Sequence, residues 1–366
     1  MAKSLQGQKR RSSLVVNGVL ILISIVWLVP TLGVFITSFR QSQDIFSSGW
    51  WAIFPHKEDS DTGEIVLDDS YDVNGVMEIE GASATFEEWR EGVVLQDGRK
   101  LTWYGNKRTR KLTISEEIWV GFGANLTFDN YKDVITGKEI SFTDGEGNEI
   151  IRKGNNLGGA FLNSIAVAVP ATVIPILIAA FAAFGFSWLK FPGRGLLFTV
   201  VVAILVVPLQ ISLVPILQDY TKLGLNGTFL GIWMAHTGFG LPLATYLLFN
   251  YISTLPRELL EAAYIDGASN FTIFVRLILP LSVPSLASFA IFQFLWVWND
   301  YLVSLVFLGE KTQVITYALA SIVGEKGQDW HLLTSGAFIS MLLPLAVFFA
   351  LQRYFVRGML AGSVKG

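Results

Sequence analysis

Six stretches of this chain contain no Asp, Glu, Lys or Arg: 12–39, 154–189, 195–218, 223–256, 277–299 and 330–352. Each is at least as long as the roughly 20 apolar residues that a helix needs to cross a bilayer core. Six transmembrane helices are therefore predicted. Alternating barrel strands of about 10 residues would not produce such continuous runs.

Charge is distributed accordingly. Residues 40–157 hold 13 basic and 22 acidic side chains, net −9, whereas the rest of the 366-residue chain holds 14 basic and 8 acidic, net +6. The larger, charge-poor part falls far below the roughly 25% charged content of an ordinary soluble domain. The expected fold class is an all-α polytopic membrane protein with a β-rich external insertion between helices 1 and 2. Three segments follow: 1–39 (N-terminus and first helix), 40–157 (acidic insertion) and 158–366 (helices two to six).

Basic residues set the orientation. With the N-terminus inside, Lys3, Lys9, Arg10, Arg11, Lys190, Arg194, Arg257, Arg276, Arg353, Arg357 and Lys365 lie on the cytoplasmic side, against Lys222, Lys311 and Lys326 in the short outside loops. The excess places both termini in the cytoplasm. The first apolar stretch, Leu14 to Ser38, exceeds the usual 7–15-residue core of a signal peptide and reads as an uncleaved span. Cysteine is absent, so the external segment folds without disulfides and a cysteine metal site is excluded.

Within the insertion, Val93–Gln96, Asp97-Gly98 and Arg99–Tyr104 have the form of a hairpin, because Asp-Gly supplies the positive backbone angles of a tight turn. Ile140–Phe142 and Ile150-Ile151 flank a second turn region at 144–148. The segment is long enough for its own core. It reads either as a docking surface for a soluble external partner, the preferred reading, or as a solvated insertion.

No phosphate-binding loop, paired metal-binding helix or nucleophile elbow occurs. His56, His236 and His331 are scattered. The informative stretch is 254–277, a helix-turn-helix on the cytoplasmic side. Pro256 and Glu258 suit the start of a helix. Leu259, Leu260 and Ala263 form one apolar face, and Gly267 permits a sharp turn. Phe271, Phe274 and Val275 then begin a second amphipathic helix. By pattern alone the element is either a lever for an internal partner or an interfacial helix on lipid.

Glu261-Ala262-Ala263, three residues, Gly267, nine residues, then Leu277-Ile278-Leu279-Pro280 resembles the EAA signature of binding-protein-dependent ABC importer permeases, with leucine at 277 replacing the usual isoleucine. Asp129-Asn130-Tyr131, Phe161–Ser164, Trp298–Tyr301, Gln352–Gly358 and Gly362–Gly366 narrow the resemblance to sugar-importer permeases, of the type of the smaller maltose, trehalose and α-glucoside permease subunits. It covers 1–39 and about 125 to the end, but not 45–120.

The resemblance implies a permease subunit paired with a second permease subunit, a cytoplasmic ATPase dimer and an external sugar-binding protein, in the cell inner membrane. It implies that Glu261, Ala262, Ala263, Gly267, Leu279 and Pro280 belong to a segment coupled to the ATPase. The tail 353–366, through Gly362, Ser363, Val364 and Lys365, would contact the ATPase subunits. No enzymatic activity and no cofactor are expected in this chain; ATP and Mg belong to the partner ATPase.

For the substrate path, Gln293, Trp298, Asn299 and Asp300, with Trp296 nearby, combine aromatic faces with amide and carboxylate groups, the chemistry that a sugar requires. Asp300 and His236 are the ionisable groups in or bordering the spans besides His331, and intramembrane ionisable groups are functional candidates by default. Helix capping or interhelical hydrogen bonding is the structural reading of Asp300; an interfacial aromatic belt is that of Trp298 and Tyr301. An ion-coupled secondary transporter is disfavoured by the shortage of intramembrane charge. A non-transport scaffold is the remaining alternative.

Overall fold

The computed structural model describes residues 2–123, 126–137, 139–143, 149–154, 156–310, 312–323 and 329–363. The chain forms two compact units, Met1–Thr127 and Phe128–Gly366.

The first unit begins with a long helix, α1 (Ala2–Thr37), followed by a short helix, α2 (Ser42–Ser47), and a 3-10 turn at Trp50–Ile53. The chain then builds a four-stranded antiparallel sheet from β1 (His56–Val66), β4 (Val93–Val94), β5 (Lys100–Tyr104) and β6 (Lys111–Val120), in the order β1-β6-β5-β4. A hairpin of β2 (Val76–Ile79) and β3 (Ala82–Thr85) and a helix α3 (Phe86–Glu91) stand between β1 and β4. The expected 93–104 hairpin is present, with Gly98 at φ +92 and Leu95 N–H donating to Arg99 O at 2.7 Å.

A separate core holds this unit together. Met77, Trp89, Leu101, Trp103 and Leu112 are all buried in one cluster. The indole of Trp89, fully buried, donates to Ala84 O at 3.0 Å, so its polar atom is satisfied inside. Glu88 accepts from both the Thr85 N–H (2.7 Å) and its hydroxyl (2.8 Å), which fixes the start of α3.

The second unit contains α4 (Asp129–Thr136), a paired β7 (Glu139–Thr143) and β8 (Glu149–Lys153), and then the helices α5 (Leu157–Trp188), α6 (Arg194–Ala203), α7 (Leu209–Lys222), α8 (Phe229–Ile252), α9 (Arg257–Ile265), α10 (Asn270–Ile273), α11 (Leu279–Leu281), α12 (Val283–Trp298), α13 (Leu302–Phe307), α14 (Ile315–Val323) and α15 (Trp330–Ser363). The expected insertion 40–157 is thus divided, because α4 contributes Val134 to the core of the second unit. The turn expected at 144–148 lies outside the described residues.

Among the described residues, four helices are long and apolar enough to cross a membrane: Ser13–Thr37 of α1, α5, α8 and Trp330–Tyr354 of α15. Two more segments meet the test only as bent pairs. Arg194–Val206 with Leu209–Lys222 turns by 102°, and Asn270–Leu281 with Val283–Trp298 by 72°. The predicted count of six holds if each bent pair is one span. The first bend falls at Val207-Pro208, where proline forces its predecessor out of the helical region and Val207 is extended (φ −72, ψ 120).

Small residues let α5 and α8 approach closely, as expected where no hydrophobic gain separates protein from lipid. Ala168, Ala171, Ala179, Ala180 and Ala183 of α5 and Gly231, Ala235, Gly240 and Ala244 of α8 are buried. The two helices run in the same direction, because Trp233 donates to Ala166 O (2.8 Å) near their beginnings and Trp188 to Ile252 O (3.3 Å) near their ends. One apolar cluster surrounds the first half of this pair and a second cluster surrounds the last half.

Candidate functional site

The helix-turn-helix predicted at 254–277 is present and its turn has a defined chemistry. Pro256 stands at the N-cap of α9 in extended conformation (φ −61, ψ 134), and Glu258 lies in the first turn near the positive helix end. At the other end Gly267 adopts φ +79. Its N–H donates to Tyr264 O and the Ala268 N–H to Ala263 O, both at 3.0 Å. These are the two crossed bonds of a Schellman closure, which requires a left-handed residue at the position of Gly267. The spacing Glu-Ala-Ala-x3-Gly is therefore a spacing that closes a helix: Ala263 supplies the carbonyl and Gly267 the reversal.

Ser269 then caps α10, accepting from Thr272 N–H at 3.2 Å, and the Tyr264 hydroxyl donates to Asn270 Oδ1 at 2.6 Å across the turn. From Phe274 to Ile278 the helix widens into a π-turn before Leu279 and Pro280. The apolar face differs from the predicted one, within the π-turn at Val275 and before it at Leu259 and Phe271. Leu260, Ile273, Phe274 and Ile278 are buried against the last halves of α5 and α8, with Ala263 and Leu279 partly so. Leu259 and Val275, expected on the inner face, are 41% and 42% exposed, and Phe271 is 68% exposed.

What the element leaves outward mixes charged and apolar groups, with Glu258, Asp266 and Arg276 exposed beside Glu261. Glu261, Ala262 and Gly267 are exposed, as are Pro280, Phe271 and Ile265, the last at 86%. Sequence periodicity did not single out Ile265; its place three residues before the Schellman closing residue Ala268, beyond the last buried turn, is the signal. The tail positions Gly362 and Ser363 end α15, whereas Val364 and Lys365 lie outside the described residues.

The candidate substrate-path residues lie at the end of α12 and use their polar groups within the chain. Gln293, almost fully buried, donates from Nε2 to Ala171 O (3.1 Å) and lies 3.5 Å from His236 O, joining α12 to α5 and α8. Trp298 donates to Ser340 O at 3.0 Å and packs edge-on to Phe161. Asn299, exposed, donates to Leu295 O at 2.7 Å.

Asp300 caps α13: Oδ1 accepts from Val303 N–H (3.3 Å), and Oδ2 accepts from Ser304 N–H (3.0 Å) and the Ser304 hydroxyl (3.3 Å). His236 Nε2 lies 3.9 Å from Asp300 Oδ2, a neighbourhood that sequence separation concealed. Asn163 and Ser164 of the Phe161–Ser164 motif serve the same corner. Asn163 donates to Gln313 O (3.0 Å) and Ser164 accepts from Ile315 N–H (2.7 Å), fastening the loop before α14 to the start of α5. No group of three or more His, Asp or Glu side chains able to hold a metal occurs among the described residues.

Comparison with known proteins bears on both regions. The family described as binding-protein-dependent transport system inner membrane component matches residues 162–361. The osmoprotective compounds uptake permease protein GgtD of Synechocystis is 46% identical over 345 residues, 94% of this chain and 89% of that protein. The alpha-glucoside transport system permease protein AglG of Rhizobium meliloti is 44% identical over 383 residues, covering 94% and 95%. The melibiose/raffinose/stachyose import permease protein MelC of Bacillus subtilis is 32% identical over 213 residues, 58% of this chain and 77% of that one.

Proposed function

The chain belongs to the binding-protein-dependent transport system inner membrane components, and on that premise we propose that it is the permease subunit of an ATP-driven importer for α-glucosides, coupled to its ATPase through α9 and α10. It is a sugar ABC transporter permease, and ATP hydrolysis is carried out by a separate partner. ATP and Mg would be held there and not in this chain.

The observation that carries the coupling reading is the two-sided character of the element. Leu260, Ile273, Phe274 and Ile278 fasten it to α5 and α8, while Glu261, Ala262, Ile265 and Phe271 face outward. Its crossed hydrogen bonds close α9 and the Tyr264–Asn270 bond ties α9 to α10; in this reading a push on α9 passes through Gly267, Leu279 and Pro280 into α12. Glu261 supplies a carboxylate for a basic residue of the ATPase, a charge-assisted contact, and Ala262 leaves space for close approach. In this reading both termini are cytoplasmic, and Gly362, Ser363, Val364 and Lys365 reach the same ATPase subunits.

The α-glucoside assignment is supported by AglG, matched along nearly the whole chain. The partners are a second permease subunit, an ATPase dimer and an external sugar-binding protein; the acidic first unit is a docking surface for the last of these. The wall of the sugar path includes Gln293 and Trp298, which act through packing, and Asn299 and Asp300, the less buried members, which meet sugar hydroxyls. Copurification tests the reading: a tagged chain expressed with its neighbours brings down an ATPase subunit and a second permease, and retrieval of neither overturns it. For the path, sugar uptake unchanged by Asp300→Ala in an intact complex would reassign that residue to capping alone.

A further inference from the structure

The first unit carries a group of large aromatic side chains that its own core does not use. Phe46, Trp51, Phe54, Trp119 and Phe122 are each between 54% and 71% exposed. They come from before β1 and from the end of β6 and just beyond it, and backbone pairing brings the segments that carry Trp51, Phe54, Trp119 and Phe122 together. Gly123 N–H donates to Ile53 O at 3.0 Å, His56 pairs with Val120, and the rings of Phe54 and Phe122 stand 6.1 Å apart. Arg40, 5% exposed, folds the connecting segment back by donating to Asp44 O (2.7 Å) and Ser48 O (2.9 Å). An apolar patch of this kind marks a contact with a protein or a membrane.

Its position decides between them. The indole of Trp50 lies against Gly33 of α1, where a Cβ would meet it at 2.8 Å, and Gly33 is one turn from the end of the candidate span at Thr37. The 50–54 turn therefore stands beside the last turn of a membrane helix, and Trp51 and Phe54 fall at the level where that helix leaves the hydrocarbon. Along β6 the chemistry then changes in one direction. Val120, Trp119 and Ile118 come first, opposite His56, Lys57 and Glu58 of β1, and Glu117 and Glu116, opposite Asp59 and Ser60, follow. At about 3.4 Å per residue the change occupies roughly 10 Å, comparable with the interfacial layer of a bilayer. Aromatic rings with charges immediately beyond them match the composition of membrane–water interfaces.

We propose that Phe46, Trp51, Phe54, Trp119 and Phe122 form a collar that seats the base of the acidic unit in the phospholipid headgroup layer around the end of α1. The unit is thereby held at a set height on the membrane surface, with its sheet standing above the lipid.

Because the chain has no cysteine, single cysteines at 51, 119 and 122, with position 69 as a water-exposed reference (Asp69 side chain 99% exposed), can each carry a nitroxide in the full chain reconstituted in phosphatidylcholine–phosphatidylglycerol nanodiscs. The expected ratio of oxygen to nickel-chelate collisions is several-fold higher at 51, 119 and 122 than at 69. Equal ratios would place the collar in water, and low collision rates with both reagents would place it under protein, such as a second copy; either result overturns the proposal. Photolabelling of the unsubstituted chain by a carbene-generating phospholipid removes dependence on the variants. Label on peptides containing 50–54 and 118–122 supports the collar, and label confined to the spanning helices refutes it.

Discussion

The side-chain amide of Gln293 occupies the space where any side chain at position 240 would begin: a Cβ on Gly240 would lie 2.6 Å from both Nε2 and Oε1. The amide cannot withdraw freely, because it is buried and bonded to Ala171 O. Gly240→Ala is expected to destabilise the helix packing by about 1–3 kcal/mol, through overpacking or loss of that bond. In the double variant with Gln293→Ala the clash partner is gone. Thermal unfolding in detergent should show a cost well below the sum of the two single costs.

Leu260 and Ile265 sit on the same short helix with opposite surroundings. Leu260→Ala removes a group 2% exposed and is expected to cost roughly 2 kcal/mol or more through the cavity left behind. Ile265→Ala alters a side chain 86% exposed and should change stability by less than about 0.5 kcal/mol. In a copurified complex the order reverses for ATPase retention: Ile265→Ala and Glu261→Ala release the subunit while the permease stays folded. Loss of a charged hydrogen bond at Glu261 corresponds to about 1.5–3 kcal/mol, or roughly ten- to a hundredfold in Kd.

Asp300 separates capping from recognition by its two conservative variants. Asparagine caps helices as well as aspartate does, so Asp300→Asn should keep the start of α13 intact, whereas Asp300→Ala should lose about 1 kcal/mol. Melting curves of both variants, set beside uptake, report whether a carboxylate is needed beyond the cap.

Glu88 gives the first unit a pH dependence of defined sign. The Thr85 N–H, and then its hydroxyl, hold the Glu88 carboxyl below the ordinary glutamate value of 4.5. A carboxyl with a lowered folded pKa stabilises the fold above its unfolded pKa, and that stabilisation is lost as pH falls through the folded value. Glu88→Ala should therefore destabilise the unit near neutral pH and cost less at a pH well below that ordinary value. Hydrogen exchange of the α3 amides at the two pH values measures the difference.

The membrane helices were legible because the absence of charge is a property of single residues and needs no knowledge of neighbours. The 93–104 hairpin was legible for a similarly local reason, the Asp-Gly turn. The inner face of the α9–α10 element was legible only in part, since Val275 falls within the π-turn at Phe274–Ile278, which departs from the regular helical period. The neighbourhood of His236 and Asp300 was not, because it depends on how α8 meets the end of α12. The bends at Pro208 and Ser282 lay within charge-free runs, and hydropathy is blind to direction. Asp300 had both a capping and a binding reading in the sequence; the cap is visible in the structure, and the binding role awaits its experiment.

The π-turn also acts as an angular offset. In an α-helix each residue advances the side-chain direction by about 100°, and a wide turn holds the one extra residue that such an advance would otherwise carry forward. Deleting one residue from 274–278 would let the helix relax to its regular form with the residues beyond it near their present direction. A deletion inside the regular first turns of α12 has no wide turn to absorb it and would rotate the rest of that helix by about 100°, swinging Gln293 away from Ala171 and Trp298 from Ser340. The contacts at the far end of α12 thus tolerate a change of length at the π-turn that they would not tolerate within the helix.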